Sequence, residues 1–327
     1  QRRCGTSQDD SITLTADKDF TVIAHRGASG YLPEHTLEGV AMAHAMGVDY
    51  VEQDVSLTRD NVLIVLHDLY LDAVTDVAEK FPDRQRPDGR RYAIDFTLEE
   101  IRSLRVHDRL DANGKPAFPG RFPQDGALFR IPTFAEEIAL IQGLNRATGR
   151  DVGIYVEPKS PAWHQGEGRD LVREVVSALD HFGYKSRQDN AILQSFDRKS
   201  LIHARNELQC DLKLVQLIGD NSWGESDTDF DFLQSREGLE STAQLADGIG
   251  PWLTQVMSIT EQKTTDISEL TARAQQLGLF VHAYTLRADQ LPEEIGGMAN
   301  PTRFLAQKVG LDGVFTDQPD EVISALS

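Results

Sequence analysis

In VEQDV (residues 51–55), Glu52 and Asp54 stand two apart in an apolar stretch, so on a β-strand both carboxylates point to one face. Two buried like charges stay ionised only beside a cation, either an Arg or Lys partner or a metal ion. VGIYVEPKS (152–160) repeats the spacing with Glu157 and Lys159. A third carboxylate beside the first two completes an oxygen-rich set for a hard divalent cation, and this favours a metal over simple ion pairing. Lys159 adds a positive head suited to a phosphate oxygen. Among the nine histidines, His25 and His67 differ from the rest. Each ends an apolar run (VIAH, VLIVLH) and is followed by a charged residue, Arg26 or Asp68. Two imidazoles flanking a metal-bound phosphodiester are what general acid–base hydrolysis needs: one takes a proton from the nucleophile, the other gives one to the departing alkoxide. The remaining histidines read as structural, with His35 in the loop before a helix and His282 on a strand.

Such groups converge only if strand ends converge. Eight β-like runs recur, at 21–25, 50–55, 152–157, 191–195, 213–218, 246–249, 279–285 and 312–315. Amphipathic helical stretches lie between them, including 37–46, 171–182 and 267–277, each followed by a glycine, the expected helix stop. Alternation of strands and helices with a count of eight predicts an α/β fold, a closed (β/α)8 TIM barrel whose site gathers at the C-terminal strand ends. After 50–55 the chain reads TRDN and then VLIVL, a hairpin that would return His67 toward Asp54. Residues 71–130, rich in Asp, Arg, Pro and Gly with one helical piece at 98–104, are expected to form an inserted subdomain or lid. The barrel domain would then span 21–327, after an N-terminal extension over 1–20. Residues 219–236 form a second, shorter polar excursion.

Composition narrows the function. The formal net charge of −19 argues against a nucleic-acid partner. An anionic substrate would therefore need a metal or local bases. The longest purely apolar run, 62–66, is too short for a transmembrane segment. The two cysteines, Cys4 and Cys210, form no C-x-x-C and lie beside no base, so a thiol nucleophile is not expected; a disulfide between them stays open. There is no G-x-S-x-G, Walker A, G-x-G-x-x-G or H-E-x-x-H, which sets aside serine hydrolase, P-loop, dehydrogenase and zincin chemistry.

HRG at 25–27, PE-x-T at 33–36, E-x-D at 52–54, HD at 67–68, E-x-K at 157–159 and DGVFTD at 312–317 together resemble the glycerophosphodiester phosphodiesterases, over nearly the whole chain from residue 21 onward. The phrases AHRGASGYLPEHTLE, LHDLYLDAVTDVAEKFPDR and QLADGIGP look most like the bacterial periplasmic branch. The resemblance implies hydrolysis of glycerophosphodiesters such as glycerophosphocholine or glycerophosphoethanolamine to glycerol 3-phosphate and an alcohol. It implies His25 and His67 as the general acid/base pair, with Glu52, Asp54 and Glu157 as ligands to one divalent cation, Ca2+ rather than Mg2+. Arg26 and Lys159 would contact the phosphate, and Phe196 and Tyr284 would wall the glycerol pocket. Glu34 joins the substrate-binding set or, like Asp68 and Gln194, orients its neighbours. The nucleophile is water or the substrate's own 2-hydroxyl. Headgroup preference is assigned to the insertion, and the location to the periplasm. The partner is a small-molecule diester, and an oligomer is compatible with the sequence. Two rivals are a related-barrel phospholipase acting on intact lipids and a non-catalytic binding protein. The first lacks an amphipathic aromatic face in 71–130, and the second is disfavoured because every expected polar position is filled.

Overall fold

In a computed structural model describing residues 19–259 and 264–327, the alternation of short apolar runs and helices produces a closed parallel barrel. The strands are β1 (Thr21–Ala24), β2 (Tyr50–Leu57), β3 (Leu63–Val65), β4 (Gly153–Pro158), β5 (Ala191–Ser195), β6 (Lys213–Ile218), β7 (Gly248–Pro251), β8 (Met257–Ile259), β9 (Thr264–Ile267), β10 (Phe280–Leu286) and β11 (Gly313–Thr316). Eight of them, β1, β2, β4, β5, β6, β7, β10 and β11, pair in parallel, and β1 closes the ring by pairing with both β11 and β2. β3 returns antiparallel on β2, with Val55 opposite Val65, as the hairpin reading expects.

The pleat sorts side chains by parity. Val22, Ala24, Val51, Ile154, Val156, Leu193, Val281 and Val314 face outward into the large cluster under the helices. Ile23, Tyr155, Ile192, Val215, Leu217 and Phe315 face inward and fill the barrel. Space inside is tight: a Cβ on Gly153 would lie 2.4 Å from the Tyr50 ring, and one on Gly248 2.4 Å from Phe280. Glycine here makes room for an aromatic floor, and on β4 the inward carboxylate, Glu157, lies toward the other end.

Several boundaries differ from the expectation. His25 is the first residue beyond β1 rather than its last, and β7 begins two residues later than 246. The helix expected over 267–277 spans Leu270–Gln276, because Ile267 ends β9, which pairs antiparallel with β8 in a ribbon outside the barrel. The helix Phe134–Thr148 was not read from its pattern, although Thr133 and Glu136 form a capping box at its start. Residues 71–130 carry a hydrophobic cluster of their own, including Leu71, Val77, Phe96, Ile101 and Leu104, which packs on Ile64 and Leu66 of the hairpin. Cys210 is buried as a free thiol, while Cys4 and most of the 1–20 extension lie outside the described residues. Among the described residues no helix is long and apolar enough to cross a membrane.

Candidate active site

The parallel register of β2 and β4 places Asp54 beside Glu157 and Glu52 beside Tyr155. All three carboxylates belong to the inward face and are buried near the C-terminal ends of their strands. Lys159, just past β4, is also buried; its Nζ lies 2.9 Å from Glu157 Oε1 and 3.8 Å from Asp54 Oδ1. The loop after β1 closes on the same spot. Arg26 donates its backbone N–H to Glu52 Oε2 at 2.9 Å, and its guanidinium reaches Asp54 at 3.5 Å. Gln194, on β5, approaches the other oxygen of Glu52 at 3.4 Å.

His35 joins this group, which its loop position did not suggest. It is buried, its Nε2 lies 2.8 Å from Asp54 Oδ2, and its Nδ1 has no partner. His35, Glu52 and Asp54 each offer a ligand atom within 4.8 Å of the other two. Both His35 (φ 58°) and Arg26 (φ 61°) hold the left-handed backbone conformation that non-glycine residues rarely adopt, and the His35 N–H donates to the Arg26 carbonyl at 3.0 Å. Strain of this kind persists where the surroundings over-determine it, as at a functional site.

The electrostatics show what the cluster needs. Desolvation, with the Asp54 and Glu157 charges, pushes the Glu52 carboxyl well above the usual range. Desolvation likewise raises Glu157 to about 8, Lys159 opposing and Asp54 assisting. Asp54 is desolvated too, yet Lys159, His67 and His35 hold it well below its ordinary value. Burial and mutual repulsion therefore oppose full ionisation of the three carboxylates. A bound divalent cation would relieve that opposition, and carboxylate oxygens with one imidazole are donors it accepts. The residues fit a metal.

His25 and His67 stand on either side. Each Nδ1 lies 2.7 Å from a carboxylate oxygen, Asp317 for His25 and Asp68 for His67. Desolvation, followed by the Arg26 charge, lowers His25 to about 4, against the pull of Asp317. Desolvation, Arg26 and Lys159 lower His67 to about 3. Both imidazoles are thus neutral at pH 7. With the Asp ionised, the Nδ1–H donates and Nε2 keeps its lone pair. Leu66 N–H bonds the Asp54 carbonyl at 2.9 Å, so the hairpin delivers His67 to the cluster.

A cavity of about 630 Å³ opens over these groups. His25, Arg26, Glu52, Asp54, His67, Glu157 and Lys159 line its polar end, while Phe196, Tyr284, Trp223 and Trp252 wall the other, with Glu225 among them. Phe196 and Tyr284 meet edge to face at 5.9 Å, and Tyr284 donates its hydroxyl to the Ile218 carbonyl at 2.8 Å. The outer wall thus comes from the excursion after β6 and the turn after β7. No residue of 71–130 lines this cavity; Asp108, Arg109, Phe118 and Arg121 of that segment line an adjoining space that shares His25, Arg26 and His67 with it. Glu34 lies outside the cavity as well; its two oxygens take Arg26 and Arg109.

The sequence reading missed His35, Asp317, Glu225, Trp223 and Trp252. Asp317 carried a usable signal, because it directly follows an apolar strand, as His25 and His67 follow apolar runs. Gly27 takes φ 84° where the loop turns against the backbone of Gly39. A Cβ on Gly30 would meet the Asp317 carbonyl at 2.7 Å. Both glycines give the loop room to pack.

A sequence profile of the glycerophosphoryl diester phosphodiesterase family matches residues 25–321. The chain is 41% identical to a glycerophosphodiester phosphodiesterase of Haemophilus influenzae, over 99% of this chain and 94% of that protein. It is 36% identical to one from Treponema pallidum, over 91% of this chain and 89% of that protein. The fold is similar to an Oleispira antarctica phosphodiesterase in complex with the product sn-glycerol-3-phosphate. There the TM-score is 0.61 at 22% identity, covering 94% of this chain and 96% of that one.

Proposed function

The chain belongs to the glycerophosphoryl diester phosphodiesterase family, and from that premise we propose that it hydrolyses small glycerophosphodiesters, glycerophosphocholine and glycerophosphoethanolamine among them, to glycerol 3-phosphate and the free alcohol. The observation that carries this reading is one cavity holding two neutral imidazoles, a cluster of three buried carboxylates and the two cations Arg26 and Lys159. The aromatic far end, with the Glu225 carboxylate, suits a cationic headgroup. Glu52, Asp54 and Glu157, with His35 alongside, would hold one divalent cation, Ca2+ by resemblance to the periplasmic branch. An exported, periplasmic location goes with that branch. When bound, the cation supplies Lewis-acid neutralisation of phosphate charge.

The chain's own groups do the rest. Arg26 and Lys159 face the phosphate and offset the charge that builds on its oxygens. His25, neutral with a free Nε2, accepts the proton of the nucleophile. His67 donates to the departing alkoxide. In the free protein Arg26 and Lys159 help hold His67 unprotonated; an incoming phosphate anion screens both cations and lets the imidazole take up a proton. Phe196 and Tyr284 give the cavity an apolar wall beside the reacting groups.

The test is release of glycerol 3-phosphate from glycerophosphocholine by the parent, with and without a chelator, and by His25→Ala and His67→Ala. Each substitution and the chelator should lower turnover by about 10²- to 10⁴-fold, with the circular dichroism spectrum unchanged. Near-normal turnover in either variant overturns the pair.

A further inference from the structure

The catalytic imidazoles come from different elements, but their outer shells share a design. Asp68 accepts the His67 Nδ1–H on one oxygen and takes Arg109 Nη1 on the other at 2.8 Å. Asp317 accepts the His25 Nδ1–H on one oxygen and takes Arg121 Nη2 on the other at 2.9 Å. Arg109 and Arg121 both belong to residues 71–130, the segment that contributes nothing to the substrate cavity. They line an adjoining space of about 180 Å³ that His25 and His67 also border. The Arg121 side chain is only 6% exposed.

We propose that Arg109 and Arg121 are positioning residues, through which the 71–130 segment fixes the tautomer and aim of both catalytic imidazoles as two Arg–Asp–His chains. The proposal rests on the acid/base pair named above and adds what holds it in place.

The two arms are built alike at their centres and differently at their ends. A guanidinium on the far oxygen keeps each Asp ionised and pins its plane, so the near oxygen can only accept from Nδ1–H. That leaves Nε2 aimed into the cavity. The same guanidinium draws off part of the carboxylate charge, so the Asp orients the ring without holding it protonated. Arg109 extends further: its Nε and Nη2 grip both Glu34 oxygens at 2.9 and 2.7 Å, and Glu34 grips Arg26 at 3.1 Å. One residue of the segment therefore sets a phosphate-facing cation as well as an imidazole. Arg121 extends to Asp289 through two bonds at 2.7 and 2.9 Å and to the Ser29 carbonyl at 3.2 Å, while Ser29 bonds the His25 carbonyl. Asp317 has a second guanidinium, Arg287 Nε at 2.7 Å. Asp68 has Arg109 alone among the described residues. Loss of Arg109 should therefore cost more than loss of Arg121.

Two measurements test this on the full chain, with Arg109→Leu, Arg109→Lys and Arg121→Leu. The first is the imidazole 15N spectrum, which needs no turnover. The parent should show the Nδ1–H tautomer at both histidines. Arg109→Leu should mix the tautomers of His67 and leave His25 unchanged. Arg121→Leu should perturb His25 alone, and less. If Arg109→Leu fails to fold, Arg109→Lys reads the same effect, since an ammonium lacks the planar fork that engages Glu34 and Asp68 in three bonds at once. Unchanged His67 tautomers in a folded Arg109 variant overturn the proposal.

The second is kcat and KM on glycerophosphocholine and on the 4-nitrophenyl ester of glycerol 3-phosphate, whose leaving group needs no acid. Arg109→Leu should lower kcat on glycerophosphocholine by about 10- to 100-fold with KM within threefold, and lower it less on the nitrophenyl ester. Arg121→Leu should lower both equally, by less than tenfold. A rise in KM at constant kcat, or equal losses on both esters in Arg109→Leu, overturns the proposal. A parent inactive on both esters would instead overturn the functional reading, with the tautomer result standing separately.

Discussion

Glu137 offers a quantitative check on the barrel-to-helix packing. It sits on the helix Phe134–Thr148 at a fully buried position, and neither carboxylate oxygen has a hydrogen-bond partner. Desolvation raises its carboxyl to about 8, with the Asp54 charge assisting. The unfolded chain releases this proton around 4.5, the native chain only near pH 8. Below the lower value both states hold the proton and stability is unaffected. Between the two, the unfolded state binds fewer protons, so native stability falls as pH rises. From 4.5 to pH 7 the loss is about 3 kcal/mol, taking 1.36 kcal/mol per unit over about 2.5 units. Glu137→Gln keeps the shape and cannot ionise. Its amide adds a constant offset, but it should remove the slope. Urea unfolding of parent and variant at several pH values between 4.5 and 7 should give curves that diverge by about 3 kcal/mol across the range, with the variant gaining. Parallel curves would refute the reasoning, because they would mean that the native carboxyl titrates as it does in the unfolded chain.

Three further outcomes are expected. His35→Gly, which keeps the left-handed backbone while deleting the imidazole, should weaken divalent-cation binding by at least about tenfold by calorimetry; unchanged affinity would remove His35 from the site. The same titration should show the parent preferring Ca2+ to Mg2+. Gly153→Ala should destabilise the barrel by about 1–3 kcal/mol through the Tyr50 ring. Truncating Tyr50 to Leu in the same chain should recover part of that, and a cost under about 0.5 kcal/mol would refute the tight-floor account.

The parallel barrel was legible because its strands are short, apolar and regularly interrupted. Glycines at 47, 183 and 278, all with positive φ, mark the helix ends as expected. The helix Phe134–Thr148 was not legible because Glu137 interrupts its apolar face with a charge. The β8–β9 ribbon and the loop turn at His35 carry no periodic signal. Within the site, groups two apart on one strand were readable from spacing alone, as with Glu52 and Asp54 or Glu157 and Lys159. Partners far apart in the chain were not. His25 and Asp317 are 292 residues apart, and Arg109 is 75 residues from Glu34. Only closure of the ring brings β1 beside β11, and only the hairpin brings the 71–130 segment over the barrel mouth.

The hydrophobic cluster of that segment has a consequence for heating. Its apolar side chains pack on Ile64 and Leu66, and the next residue is His67. It is a small unit beside a much larger one, and local opening favours the unit with fewer buried contacts. When it opens, His67 loses its seat while the eight-stranded ring keeps its own core. Turnover should then be lost at a lower temperature than the circular-dichroism transition of the barrel, and coincident loss of the two would refute this.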